Sequence, residues 1–223
     1  MSLLVVLALA VGLDEHVGDR VPRDLAFHDP AGQTLTSGAL FDGHRPVVLV
    51  LAYAKCKMLC SVVLRGVIEA TRADPPGREY VAAVVSLDPR DPGRAMPAGW
   101  QYLVGDDRSI HALAGALGFR YTWDPHTEQY AHPAVVFVLT PDGRIAEDLR
   151  GVEYPTLHDA LARAREGTLT PSAARDLLTC FHFDPSLRRY DRQLRLLFSL
   201  GAGVVLVSLA TMIVWVSRLR RRA

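Results

Sequence analysis

The sequence predicts an α/β domain, a central mixed sheet flanked by helices, followed by one C-terminal transmembrane helix. Three observations carry this. Pro46 to Tyr53 (PVVLVLAY), Tyr80 to Leu87 (YVAAVVSL) and Ala134 to Leu139 (AVVFVL) are continuous apolar, β-branched runs, as expected of strands buried on both faces. Segments with helical apolar spacing alternate with them. Leu196 to Val216 then runs 21 residues without a charge, enough at 1.5 Å per residue to cross a bilayer core of roughly 30 Å.

Composition agrees. The chain has 223 residues, 49% hydrophobic and 22% charged. This length suits one domain with tails, and the balance excludes a disordered chain and a polytopic membrane protein. Three cysteines cannot build a disulfide scaffold, so a hydrophobic core must hold the fold. Residues 1–187 hold 17 of the 25 basic and 23 of the 24 acidic side chains, and the other eight arginines cluster in 188–195 and 217–223. A mildly acidic body with basic residues near one end is the wrong pattern for nucleic-acid binding.

Taken in order, residues 14–45 read as a turn-rich lead-in, with Asp29-Pro30-Ala31-Gly32 and Asp42-Gly43 bracketing short strand-like pieces. After the Pro46–Tyr53 strand, residues 58–71 place Leu59, Val62, Val63, Val67 and Ala70 at helical spacing. The Tyr80–Leu87 strand follows, completing a parallel crossover unit. Residues 88–99 are a Pro/Gly-rich connection, Trp100 to Val104 a short strand, Ser109 to Leu117 a helix stopped near Gly118, and Phe119 to Ala131 a loop. His132-Pro133 introduces the Ala134–Leu139 strand. Pro141-Asp142-Gly143 turns it into a hairpin with Arg144 to Leu149. Thr156 to Glu166 reads as a helix with Leu157, Ala160, Leu161 and Ala164 inward. Alternating strands and helices that end in a hairpin and a helix fit a thioredoxin-like fold over residues 14–167.

Residues 168–195 read as a stalk, 196–216 as the transmembrane helix and 217–223 as a basic tail. Arg192, Arg195 and Trp215 sit where interface anchors are expected. The apolar segment within residues 1–13 contains Ala8-Leu9-Ala10, the small-x-small form of a signal-peptidase site. Together these place the domain on the periplasmic side of a bacterial inner membrane, with the arginine-rich tail in the cytoplasm.

The chemistry points to Lys55-Cys56-Lys57-Met58-Leu59-Cys60, between a central strand and a helix. Spacing i, i+4 puts both thiols on one helix face. The helix N-terminus and the chain's only two lysines, Lys55 and Lys57, favour thiolate. Such a pair can exchange with a disulfide or hold a soft metal ion. Two thiolates underfill a copper site, and His132, ahead of its strand, is the leading third ligand, with His126 the alternative. Pro133 is expected in cis, as at the equivalent strand of thioredoxin-like folds. His16, His28, His44, His111 and His158 read as surface or hydrogen-bonded residues. Cys180, in Cys180-Phe181-His182-Phe183, reads as a buried thiol.

The Pro46–Tyr53 strand, Cys56-x-x-x-Cys60, Ser86-Leu87-Asp88-Pro89, and His132 ahead of a strand ending in Pro141-Asp142-Gly143 resemble the Sco (SenC) family of copper chaperones, in particular a C-terminally anchored bacterial branch. The resemblance covers roughly residues 12–165. It implies copper, as Cu(I) or Cu(II), on Cys56, Cys60 and His132. It also implies a role in assembling the binuclear copper (CuA) centre of cytochrome c oxidase, so that the partner is its copper-bearing subunit or another respiratory complex. Metal transfer of this kind needs no turnover chemistry and no catalytic residue. The alternatives are a membrane-anchored thiol-disulfide oxidoreductase using Cys56 and Cys60 on an oxidase subunit, or a stably bound accessory subunit of a respiratory complex. Two departures stand out: Lys57 where the family commonly has proline, and a proline-rich stretch after Asp88-Pro89 where it usually has a helix.

Overall fold

The computed structural model describes residues 11–56 and 59–171. The N-terminal segment up to residue 10, the stalk from 172, Cys180, the transmembrane run and the basic tail lie outside the described residues, as does the Cys60 side chain. Among the described residues no helix is long and apolar enough to cross a membrane.

The elements run Gly12–Leu13 (β1), Ala26–His28 (β2), Thr34–Thr36 (β3), Val47–Ala52 (β4), Leu59–Ala70 (α1), Val81–Ser86 (β5), Trp100–Gly105 (β6), Asp107–Ala116 (α2), Phe119–Arg120 (β7), Thr122–Asp124 (β8), Gln129–Ala131 (β9), Val135–Leu139 (β10), Ile145–Arg150 (β11) and Leu157–Arg165 (α3). Seven strands form one sheet in the order β11-β10-β4-β5-β6-β2-β3. β4, β5 and β6 are parallel, and the hairpins β10–β11 and β2–β3 join antiparallel on either side. All six residues of both β4 and β5 are buried, which is why their sequences are apolar throughout rather than alternating.

Helix α1 follows its expected span, with one face corrected. Val63, Leu64 and Val67 are buried, but Val62, expected inward, is 48% exposed. The helix is seated by Gly66, where an added Cβ would lie 2.0 Å from the Val152 carbonyl oxygen; only glycine permits that approach. The next helix starts earlier than predicted because Asp106 caps it, its side chain accepting the Ser109 amide at 2.7 Å. In α3, Leu157, Ala160, Leu161 and Ala164 are buried as the spacing requires.

The strand-like pieces expected in the lead-in are present as β2 and β3, which join the main sheet, with Asp29 Oδ1 accepting the Ala31 and Gln33 amides to turn the hairpin. One expectation needs correction. The stretch from Phe119 to Ala131, expected as a loop, supplies three short strands to two ribbons, β7 pairing with β1 and β8 with β9. The second is held by aromatic packing: Tyr130 lies 4.9 Å from Trp123 and 5.8 Å from Tyr121 between ring centroids. Strands of two or three residues are too short for periodicity to reveal.

Ahead of β4, Asp42 Oδ1 accepts the amides of His44 (2.9 Å) and Arg45 (2.8 Å), and Oδ2 accepts Arg45 Nε at 2.6 Å. Burial opposes ionisation of Asp42, but these bonds outweigh it and lower the pKa from the ordinary 3.8 to about 2. A carboxyl with a depressed pKa stabilises the fold above its unfolded value and loses that contribution as pH falls through the folded one. Asp42→Asn is therefore expected to lower the urea unfolding free energy by about 1 kcal/mol at neutral pH. The gap from the parent should close as pH falls from 3.8 toward about 2.

Candidate metal centre

The chain leaves the carboxyl edge of the sheet at the end of β4 and is tied down at alternate residues. The Ala52 carbonyl accepts the Leu87 amide at 2.9 Å, the Ala54 amide donates to Asp91 Oδ2 at 2.7 Å, and the Cys56 amide donates to the Tyr53 carbonyl at 3.3 Å. Cys56 is thereby placed, 9% exposed, just before α1, whose unsatisfied N-terminal amides carry partial positive charge. Ser61 Oγ donates to the Cys56 carbonyl at 3.4 Å and joins the helix to the cysteine loop. Cys60 is the second residue of α1, so its backbone stands at the mouth of the same helix. Lys55 is exposed beside them.

His132 reaches this edge because β10 is antiparallel to β4. Val136 pairs with Val50, so the residues preceding β10 lie opposite those following β4. His132 is buried, its ring 5.8 Å from Phe119 and 6.4 Å from Tyr53 between centroids. Its Nδ1 lies 2.9 Å from the Pro133 carbonyl. A carbonyl only accepts, so Nδ1 carries the proton and Nε2 the lone pair of the neutral ring. Metal-ligating imidazoles are oriented this way by their second nitrogen. No cis peptide bond occurs among the described residues, so Pro133 is trans, against expectation.

Tyr53 is the hinge of the arrangement. Its carbonyl holds the Cys56 amide, its ring meets His132, and its hydroxyl accepts the Tyr130 amide at 3.2 Å. Burial raises the pKa of Tyr130 and, with the Asp88 carboxylate adding to it, keeps its phenol protonated; burial also pushes Tyr121 to about 12. The imidazole is thus bordered by the Tyr53 and Phe119 rings, with Tyr130 and Tyr121 packed behind them.

The structure separates the two candidate histidines. His126 is exposed in the β8–β9 turn, its amide bonded to Asp124 Oδ1 at 2.9 Å, whereas His132 is buried beside Tyr53. His16, His111 and His158 make hydrogen bonds to backbone carbonyls at 3.2, 2.8 and 3.1 Å, and His28 and His44 are exposed. No group of three metal-ligating side chains is assembled among the described residues; the Cys60 side chain is outside them. Sequence reasoning missed Tyr53, Phe119 and Asp91. A tyrosine closing an otherwise aliphatic buried run was the one signal available for Tyr53.

Residues 15–164 match the SCO1/SenC family model. The chain belongs to the SCO1/SenC family. No functionally curated protein matches it. Among solved structures, a protein of Aquifex aeolicus VF5 is 22% identical with a TM-score of 0.60, covering 68% of this chain and 95% of that one. Bradyrhizobium japonicum ScoI with copper bound is 20% identical with a TM-score of 0.51, covering 67% and 98%. BsSco, a member of the Sco family of cytochrome c oxidase assembly proteins in which a disulfide switch was identified, is 16% identical with a TM-score of 0.52, covering 70% and 96%. These similarities show a shared fold, the mixed α/β thioredoxin-like architecture of Sco proteins.

Tyr53→Phe keeps the ring against His132 and deletes the acceptor for the Tyr130 amide. It is expected to cost about 1 kcal/mol of unfolding free energy and to reduce hydrogen-exchange protection at Tyr130.

Proposed function

We propose that this protein is a membrane-anchored copper metallochaperone that assists assembly of the CuA centre of a respiratory cytochrome c oxidase, carrying its cargo on Cys56, Cys60 and His132. The observation that carries the reading is that Cys56 and His132 both contact Tyr53, ahead of a helix that also bears Cys60, in a chain of the SCO1/SenC family. Copper-bound structures of Bradyrhizobium japonicum and Arabidopsis thaliana ScoI support it.

The donor set fits the cargo. Cu(I) is soft and accepts two thiolates and an imidazole. The helix N-terminus favours thiolate at Cys56, and the proton on His132 Nδ1 leaves Nε2 as the donor nitrogen. Burial among aromatic side chains limits access of water, while the position at the sheet edge lets ligands of an acceptor exchange in stepwise. The acceptor is the copper-bearing oxidase subunit or another respiratory complex. The apolar run 196–216 anchors the domain in a bacterial inner membrane with the domain periplasmic and the C-terminus cytoplasmic. The ready test is titration of the reduced, purified full-length chain with Cu(I) against a chelator. One tight copper per chain is expected, lost in Cys56→Ser and weakened by about tenfold or more in His132→Ala. Unchanged affinity and absorption spectrum in His132→Ala would falsify the ligand set. For topology, a reporter fused after Ala223 is expected to be active only in the cytoplasm.

The disulfide switch of BsSco supports a second reading. As a thiol-disulfide oxidoreductase, the Cys56 and Cys60 thiols would give two electrons and two protons to a partner's disulfide and become a disulfide themselves. Absence of tight copper together with a reversible Cys56–Cys60 disulfide would decide for this reading.

A further inference from the structure

Asp91 lies in the proline-rich connection after β5, where the sequence offers no periodicity and no motif of its own. It is nonetheless buried, 7% exposed. Its Oδ2 accepts the Ala54 amide (2.7 Å), the Ser86 hydroxyl (2.7 Å) and the Tyr102 hydroxyl (2.8 Å), and its Oδ1 accepts the Gly93 amide (2.9 Å). One carboxylate therefore ties together the cysteine loop, the end of β5, its own connection and the middle of β6. The Ala54 bond joins it to the turn that places the thiol, two residues before Cys56.

The Ala54 and Gly93 amides can only donate, so Oδ2 and Oδ1 must each accept one of them, a demand that a carboxylate meets with both oxygens. Tyr102 remains a donor throughout, since burial, reinforced by the hydrogen bond to Asp91, pushes its phenol pKa well upward. Asp88 is built differently. It accepts the amide and side chain of Arg90 at 3.0 and 3.4 Å, two residues along the same loop, and makes no comparable bond to the cysteine turn among the described residues.

We propose that Asp91 is a positioning residue for the thiol site: its carboxylate clamps the Ala54 amide and so fixes the burial of Cys56 and the thiolate geometry offered to an incoming ion. Its consequence for copper rests on the function proposed above; its consequence for the Cys56 thiol does not. In Asp91→Asn an amide NH2 replaces one acceptor oxygen and confronts donors, so the Ala54 turn or the Ser86–Tyr102 pair loses its partner.

The test compares the parent full-length chain with Asp91→Asn and with Asp42→Asn. The control also loses a carboxylate that accepts backbone amides, but at the opposite end of β4. In the reduced, metal-free protein, iodoacetamide alkylation of Cys56 is followed by peptide mass spectrometry. Cu(I) affinity is measured by chelator competition, and the sulfur-to-copper absorption band is recorded after Cu(II) loading. Asp91→Asn is expected to alkylate several-fold faster, to bind Cu(I) about tenfold more weakly and to shift the absorption band. Asp42→Asn should match the parent in all three. If Asp91→Asn loses thermal stability yet keeps the parent alkylation rate, affinity and spectrum, the positioning role is overturned and the carboxylate is a stabilising residue only. Should Asp91→Asn fail to fold, Tyr102→Phe, which removes one donor from the same oxygen, is expected to move the same readouts less far; no movement there overturns the proposal. If the parent binds no copper, the copper reading fails, and the alkylation rate alone decides the role of Asp91.

Discussion

Burial of β4 between a parallel neighbour on one side and an antiparallel neighbour on the other governs the rest of the molecule. Its six residues, Val47 to Ala52, are buried and hydrogen-bonded to both β5 and β10. Each aliphatic side chain placed in such a core contributes roughly 1.5–3 kcal/mol, so the strand cannot slip without exposing a large apolar area. The parallel partner sends β5 out at the same sheet edge as β4, bringing Ser86 and Asp91 to the cysteine turn. The antiparallel partner brings the start of β10 to that edge, and with it His132. One strand, held in register from both sides, thus converges three distant parts of the sequence on Cys56.

The two flanks of that convergence differ in chemistry. On the β10 side the contacts are aromatic: Phe119, Tyr53 and Tyr130 bracket the His132 ring and its linking strand, with edge and tilted packing that restricts orientation at little polar cost. On the β5 side they are polar, centred on the Asp91 carboxylate and its four donors. A fully satisfied buried network of this kind specifies one arrangement more sharply than apolar packing does. The Cys56 backbone is thus held by hydrogen bonds, and the His132 imidazole by ring contacts and its Nδ1 bond to the Pro133 carbonyl, with Tyr53 serving both sides through its carbonyl and its ring.

Membership of the SCO1/SenC family and the fold shared with copper-bound ScoI structures are consistent with this division. On the reading proposed above, the protein would have to hold a soft ion firmly and yet release it, and candidate donors at a sheet edge and a helix mouth, with the ordered support behind them, suit that demand.

Much of this was legible in the chain. The apolar runs at 46–53, 80–87 and 134–139 signalled doubly buried strands, and the Cys56-x-x-x-Cys60 spacing marked the candidate site, because both signals are local: side-chain type and spacing within a dozen residues. The buried face of α3 was readable for the same reason. Tertiary structure alone decided that the β2–β3 hairpin extends the far side of the sheet, that Gly66 seats α1 on Val152 while Val62 stays exposed, that Pro133 is trans, and that His132 rather than His126 is buried beside Tyr53. It also decided that Asp91, in a stretch that reads as linker, grips the cysteine turn. These depend on pairing and packing between residues far apart in sequence, where partner, register and distance are set by how the whole core closes, and no local pattern encodes that.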